Sequence, residues 1–143
     1  MGHYSSSIIE LCYISKASKN FAPQDFLRLI REARKWNEAH HLTSILFFNG
    51  DSFCQMIEGS LKNLDLVCRR IRVSSSHNQV THLETRQVPI RSIPKNALQF
   101  YAEDAVKRHF PGLSEELEKS SYDRIALIRA IRSAALKSSS GNI

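Results

Sequence analysis

Polar and apolar positions along this chain fall into two rhythms, one of period two and one of helical period. Ile8 to Ser15 (IIELCYIS) is a short run of β-formers and predicts a buried first strand. On it Leu11, Tyr13 and Ser15 share one face, and Cys12 and Ile14 the other. Pro23 stands where a first-turn proline belongs, and behind it Phe26, Leu29, Ile30, Ala33 and Asn37 recur at helical spacing. Thr43 to Gly59 (TSILFFNGDSFCQMIEG) reads as two strands joined by a tight turn at Asn49-Gly50. Leu61, Leu64, Val67, Cys68 and Ile71 predict a second amphipathic helix, and VTHLETRQVPI, after the loop SSSHNQ, a further strand. Beyond Pro89 the pattern weakens, and Pro94 limits RSIPKNALQFY to a short edge strand. From Tyr101 the chain turns helical: YAEDAVKRHF, a break at Pro111-Gly112, then SEELEKSSYDRIALIRAIRSAALK. Glu115 and Glu116 near the start of that last stretch and Lys137 near its end suit a helix dipole. Its Ile125, Ile128, Ile131 and Leu136 need an apolar surface.

The order βαββαβ is the split arrangement of ferredoxin-like folds, an α+β class. It makes the first and third strands neighbours and lays both helices on one face of the sheet. The other face, carrying Cys12, Ile14, Cys54 and Met56, is then where the C-terminal helices dock. At 143 residues the chain is expected to be one domain, with a core over 1–100 and a helical extension of that domain over 101–143.

Gln55 breaks the pattern. It lies between Phe53 and Ile57 on a face that must be buried, where an amide needs partners. With the first and third strands adjacent, Tyr13 points to the same side, and Asn37 ends the apolar stripe of the first helix above it. A phenol and two amides thus converge between two helices. Two readings stay open from the residues alone: a buried polar network that fixes strand register, or a polar cluster facing a ligand.

Charge and special residues narrow the classes. The net charge of +6 permits an acidic partner, with Arg28, Arg31, Arg34 and Lys35 crowding one helix and Arg69, Arg70 and Arg72 ending another. The third strand lacks the Gly-aromatic pattern of RNA-reading sheets, so nucleic acid is not the expected partner. Three widely spaced cysteines (Cys12, Cys54, Cys68) in apolar contexts read as buried reduced thiols, and the six histidines show no metal-ligand spacing. No nucleophile–base pair or paired carboxylates emerge, so an enzyme is not expected. No apolar run approaches the ~18 residues of a membrane span, and MGHYSSS lacks a signal peptide's apolar core, so the expected location is the cytoplasm without a membrane partner.

Taken jointly, CYIS with Tyr13 and Ser15, the helical QDF…AR-x-x-N ending at Asn37, LTSILFF, FCQMIEG and the following helix ending in RI resemble the BLUF family over about residues 8 to 90. These are sensors of blue light that use flavin. The resemblance implies a flavin held non-covalently between the two helices, FAD ahead of FMN. Tyr13 and Gln55 would form the photoactive pair, with Gln55 bridging the phenol to the flavin's carbonyl edge and Asn37 binding the same edge. Leu29, Ile30, Ala33 and Phe53 would supply apolar walls, with Ser15 near the tyrosine and His77 at the flavin site. The output would be a conformational bias passed to an effector or regulator protein, or to a homo-oligomer. The alternative is a degenerate relative that keeps the fold without flavin and serves as a protein-interaction module. Among the departures from the family pattern, Trp36 and Ser76 favour that alternative, and those on the fifth strand bear on how a signal would leave the sheet. Trp36-Asn37 stands for Asn-Asn, Thr43-Ser44 for Thr-Gly, and Ser74-Ser75-Ser76-His77 for Asp-x-Arg-His. Lys95, Leu98 and Phe100 stand for Phe-x-x-Trp-x-Met.

Overall fold

In the computed structural model the alternating segments assemble into one five-stranded sheet. The structure describes residues 8–18, 22–73, 77–93 and 97–139, excepting the side chains of 23, 77, 78 and 139. Ser74, Ser75, Ser76, Pro94 and Lys95 lie outside the described residues. In chain order the elements are β1 (Ile8–Ala17), α1 (Pro23–Ala39), β2 (Thr43–Phe48), β3 (Ser52–Gly59), α2 (Leu61–Val73), β4 (His77–Val88), β5 (Gln99–Tyr101), α3 (Glu103–His109), α4 (Pro111–Glu118) and α5 (Arg124–Ser139). The strand order is β4-β1-β3-β2-β5. β1 runs antiparallel to β3 and β4, as β2 does to β3, which is the expected ferredoxin-like core; β5 extends its edge, parallel to β2.

Both faces of the sheet are covered, so β2 and β3 are buried along their whole length. On one side α2 sets Leu64, Val67 and Ile71 against Leu11, Tyr13 and Ile57. α1 sets Phe26, Leu29, Ile30 and Ala33 against Leu46, Phe48 and Phe53. On the other side Cys12, Ile14, Ile45, Phe47, Cys54 and Met56 meet Val106, Phe110, Leu113, Leu117, Leu127 and Ile131 of the C-terminal helices. The start of α1 is fixed by Pro23 and by Asp25, whose carboxylate accepts the Ala22 N–H at 2.7 Å.

The β2–β3 turn lies at Asn49 and Gly50 as expected and takes in Asp51: the Asn49 side chain accepts the N–H groups of Asp51 and Ser52, and Gly50 takes φ +102°. Four sequence expectations need correction. β4 starts at His77 rather than after Gln79, because β1 runs on to Ala17 and pairs with it. Pro111 is no break but the first residue of α4, where its missing N–H costs nothing. The break falls after Glu118, and Asp123 restarts the chain by capping the Ala126 N–H at 3.1 Å, so Glu115 and Glu116 lie within α4 and not at the start of α5. α5 buries Leu127, Ile128, Ile131, Ala134 and Ala135, which leaves Ile125 and Leu136 exposed on its far side.

Cys12 and Cys54 are buried free thiols and Cys68 is half-buried. Burial, with Glu10 nearby, pushes the Cys12 thiol from 9.0 up to about 12, and burial moves Cys54 the same way. The unfolded chain therefore ionises first. The stability tied to these thiols is intact below pH 9 and is lost as pH rises towards 12, about 4 kcal/mol from Cys12 alone. Urea unfolding between pH 8 and 11 should show this decline and Cys12→Ala should lessen it, with Cys54 carrying the remainder; a pH-independent midpoint would contradict it.

Candidate functional site

The β1–β3 register puts Tyr13 directly opposite Gln55. Both project to the side covered by α1 and α2, and the phenol donates to Gln55 Oε1. The two residues are 3% and 6% exposed. Burial drives the Tyr13 pKa far above the usual phenol range, so the group is a neutral donor. With Oε1 occupied, Nε2 is the free end of Gln55: it donates to none of the described residues.

Asn37 comes down from the last turns of α1 and is 2% exposed. Its Nδ2 donates to Ser44 Oγ at 3.1 Å and to the Ala97 carbonyl at 2.9 Å. Nδ2 is thereby engaged with two acceptors, and Oδ1 accepts from none of the described residues. Ser44 lies opposite Ile57 and Leu46 opposite Gln55, so Asn37 is anchored one diagonal step along the β2–β3 pair from Gln55. The helix side of the sheet thus carries a free amide acceptor near a free amide donor. That pair suits a planar ligand presenting an N–H beside a carbonyl.

The remaining residues named from the sequence divide. Ser15 is buried on the same face as Tyr13, opposite Phe53. Phe53 is fully buried in an aromatic group with Phe26 and Phe48, its ring centroid 6.1 Å from Phe26 and 4.8 Å from Phe48. Leu29 and Ala33 pack on this group, as does Ile30. Ile30 also lines an open cavity of about 280 Å³ on the outer side of α1 with Leu27, Arg31, Arg34, Lys35 and Glu38. His77 opens β4 opposite Ala17, but its side chain lies outside the described residues. Leu98 and Phe100 belong to the aromatic group under α1. The cations of α1 and α2 are partly tied: Arg34 donates to the Leu98 carbonyl at 3.0 Å and Arg70 lies 3.9 Å from Glu32.

Trp36 reaches from α1 to α2. Its indole packs against the cluster of Tyr13, Ile57, Leu64 and Val67, stacks on His40 with 3.6 Å between centroids, and has the Arg70 guanidinium 5.6 Å from its own.

Two residues carry more than their sequence context signals. Ser44 looks like any small strand residue, yet its hydroxyl donates to the Ala97 carbonyl at 2.8 Å while accepting from Asn37. Glu58, fully buried, accepts from Thr43 Oγ1 (3.0 Å), Ser92 N (2.6 Å) and Ile93 N (3.0 Å), fastening the segment between β4 and β5. The Glu-Gly at the end of FCQMIEG was the only hint of it. The glycine has its own reason, since a Cβ at Gly59 would lie 2.3 Å from a Leu42 methyl carbon.

Residues 8–99 match the family model for BLUF, sensors of blue-light using FAD. Among solved structures, the dark state of the BLUF protein BlrB superposes with a TM-score of 0.78 at 23% identity, over 91% of this chain and 98% of that one. The photo-activated state of BlsA gives 0.76 at 17% identity, over 90% and 95%. Klebsiella pneumoniae BlrP1 with FMN and cyclic diGMP gives 0.62 at 25% identity over 66% of this chain, a match that spans only 26% of BlrP1. No curated protein sequence matches the chain.

Proposed function

Because this chain belongs to the BLUF family, sensors of blue light that use FAD, we propose that it binds a flavin non-covalently between α1 and α2 and signals through a hydrogen-bond switch at Tyr13 and Gln55. The observation that carries the reading is the buried Tyr13–Gln55 bond, with Gln55 Nε2 left uncommitted near the Asn37 oxygen. The imide edge of an isoalloxazine has the complementary pattern, a carbonyl to accept from Nε2 and an N–H to donate to Oδ1. The residues present therefore fit the group. Asn37, its Nδ2 engaged with Ser44 and Ala97, would meet that same edge through its oxygen. FAD is the family's flavin, and the FMN named with BlrP1 keeps that smaller flavin beside it.

A bound flavin supplies the blue absorption and, once excited, the demand for an electron that the protein must answer. Tyr13 holds the matching proton on its hydroxyl, against Gln55 Oε1. Burial opposes a lasting phenolate, so loss of an electron from this ring releases the proton to Oε1, and its return restores the resting pair. With that proton on Oε1, the amide could release one from Nε2 to the ligand acceptor that Nε2 faces, which would leave the imidic tautomer with donor and acceptor ends exchanged and the strands unmoved. Leu11, Ile57, Leu64 and Val67, clustered with Tyr13, keep water from the phenol. The change passes to a partner protein or a second copy of the chain through β5 and the C-terminal helices. Ser138 of α5 bonds Tyr101 Oη at 2.7 Å and Gln99 Oε1 at 3.2 Å.

An absorption spectrum before and after blue light tests the reading. The expected result is a flavin band that shifts to the red and relaxes in the dark, as a strengthened bond to a carbonyl requires. One observation favours the flavin-free alternative: the Trp36 indole spans the two helices that would receive the ring. A protein that stays colourless with excess FAD, FMN and riboflavin, and gains colour in Trp36→Asn, would establish that alternative.

A further inference from the structure

We propose that Ser44 is a positioning residue for the flavin site. Its hydroxyl holds the Asn37 amide with the oxygen presented to ligand, so that the site selects a flavin with a free imide N–H. The inference rests on the flavin reading above and adds to it a residue with no direct ligand contact.

The argument is geometric. Ser44 is fully buried, and its single proton goes to the Ala97 carbonyl at 2.8 Å, which leaves its lone pairs to accept from Asn37 Nδ2 at 3.1 Å. Nδ2 also donates to that carbonyl at 2.9 Å. A carbonyl cannot donate, so turning the amide over would set Oδ1 against the Ala97 oxygen, two acceptors face to face beside the buried Ser44. Ser44 would also have to give up its own bond to Ala97 in order to donate to the turned amide. The three groups therefore admit one arrangement, and in it the amide plane directs Oδ1 away from Ser44 and Ala97. An alanine at 44 would remove one of the two acceptors that hold Nδ2 and one of the two donors on the Ala97 carbonyl. The amide could then turn at lower cost. Because Ala97 leads through Leu98 into β5, the same hydroxyl ties ligand choice to the strand that meets α5.

The test uses the full chain, titrated with riboflavin and with riboflavin methylated on the imide nitrogen, in wild type, Ser44→Ala and Ser44→Thr. Wild type is expected to prefer riboflavin by on the order of tenfold or more, the scale of a lost buried hydrogen bond plus the displaced methyl. Ser44→Ala should reduce the preference several-fold, and Ser44→Thr, which keeps the hydroxyl, should preserve it. A preference unchanged in a folded Ser44→Ala protein would overturn the role of Ser44 and leave flavin binding standing. Failure of both flavins to bind wild type would overturn the flavin reading and the selection with it. A readout without ligand separates the two: the Asn37 Nδ2 protons should be protected from exchange in the nuclear magnetic resonance spectrum, and Ser44→Ala should speed their exchange. Identical Asn37 signals in the two proteins would sink the positioning role whether or not flavin binds.

Discussion

Tyr13→Phe is expected to leave the flavin band in place and to abolish its light-induced shift. The ring that fills the space between Leu11, Ile57 and α2 stays, so the fold and the apolar walls are kept. What goes is the hydroxyl whose proton rests on Gln55 Oε1, and with it both the electron source matched to that proton and the group that holds the amide in one sense. Stability should fall by about 1–3 kcal/mol, the cost of leaving a buried amide oxygen without its donor, which urea unfolding would register. The loss of the shift should be complete, because burial of Tyr13 leaves the amide no water to borrow a proton from. A shift of wild-type size in a folded Tyr13→Phe protein would remove Tyr13 from the mechanism and turn attention to Trp36, which packs on the same cluster.

The residues central to that prediction were legible because each broke a rhythm. Gln55 is polar between Phe53 and Ile57, and Asn37 is polar at the end of a helical stripe; both hold their places in the structure. Period two also separated the face of Gln55 from that of Cys54 and Met56, and two different helical layers cover those faces. Ser44 signals only a departure from a family pattern, since a small polar residue inside a strand fits either environment and its partner Ala97 lies far along the chain. The C-terminal helices divide differently from the sequence pattern for a related reason. Proline both ends helices and begins them, and at Pro111 the second role won. Exposure of Ile125 and Leu136 followed from the placement of α5, which the Arg124 bond to the Leu83 carbonyl (2.7 Å) and the Arg132 bond to Glu10 (3.2 Å) help to set.

Glu58→Ala should be among the most damaging substitutions outside the photoactive pair. Its carboxylate gathers three donors in full burial, two of them the backbone N–H groups of Ser92 and Ile93, where the chain leaves β4. Arg91 reinforces the same corner, donating to Thr43 Oγ1 at 2.9 Å, the Glu58 carbonyl at 3.0 Å and the His41 carbonyl at 2.8 Å. Alanine would orphan the donors that Glu58 serves, and about 3–5 kcal/mol is the expected loss for one side of such an arrangement. Relief of repulsion from Glu10, its partner across β1 and β3, offsets only part of this, because Arg86 at 2.9 Å and Arg132 already balance the Glu10 charge. Against a total stability of roughly 5–15 kcal/mol the change is large, and a fall of about 10 °C in the thermal midpoint is the expected reading. Glu58→Gln should fall in between, since it keeps one acceptor but turns its amide protons toward a backbone N–H. The segment that Glu58 fastens runs on to Ala97, the carbonyl that holds Asn37, so Glu58→Ala should also weaken flavin binding at temperatures where the protein is still folded. A midpoint within 2 °C of wild type (~0.5 kcal/mol) would mean that the corner is held by Arg91 alone.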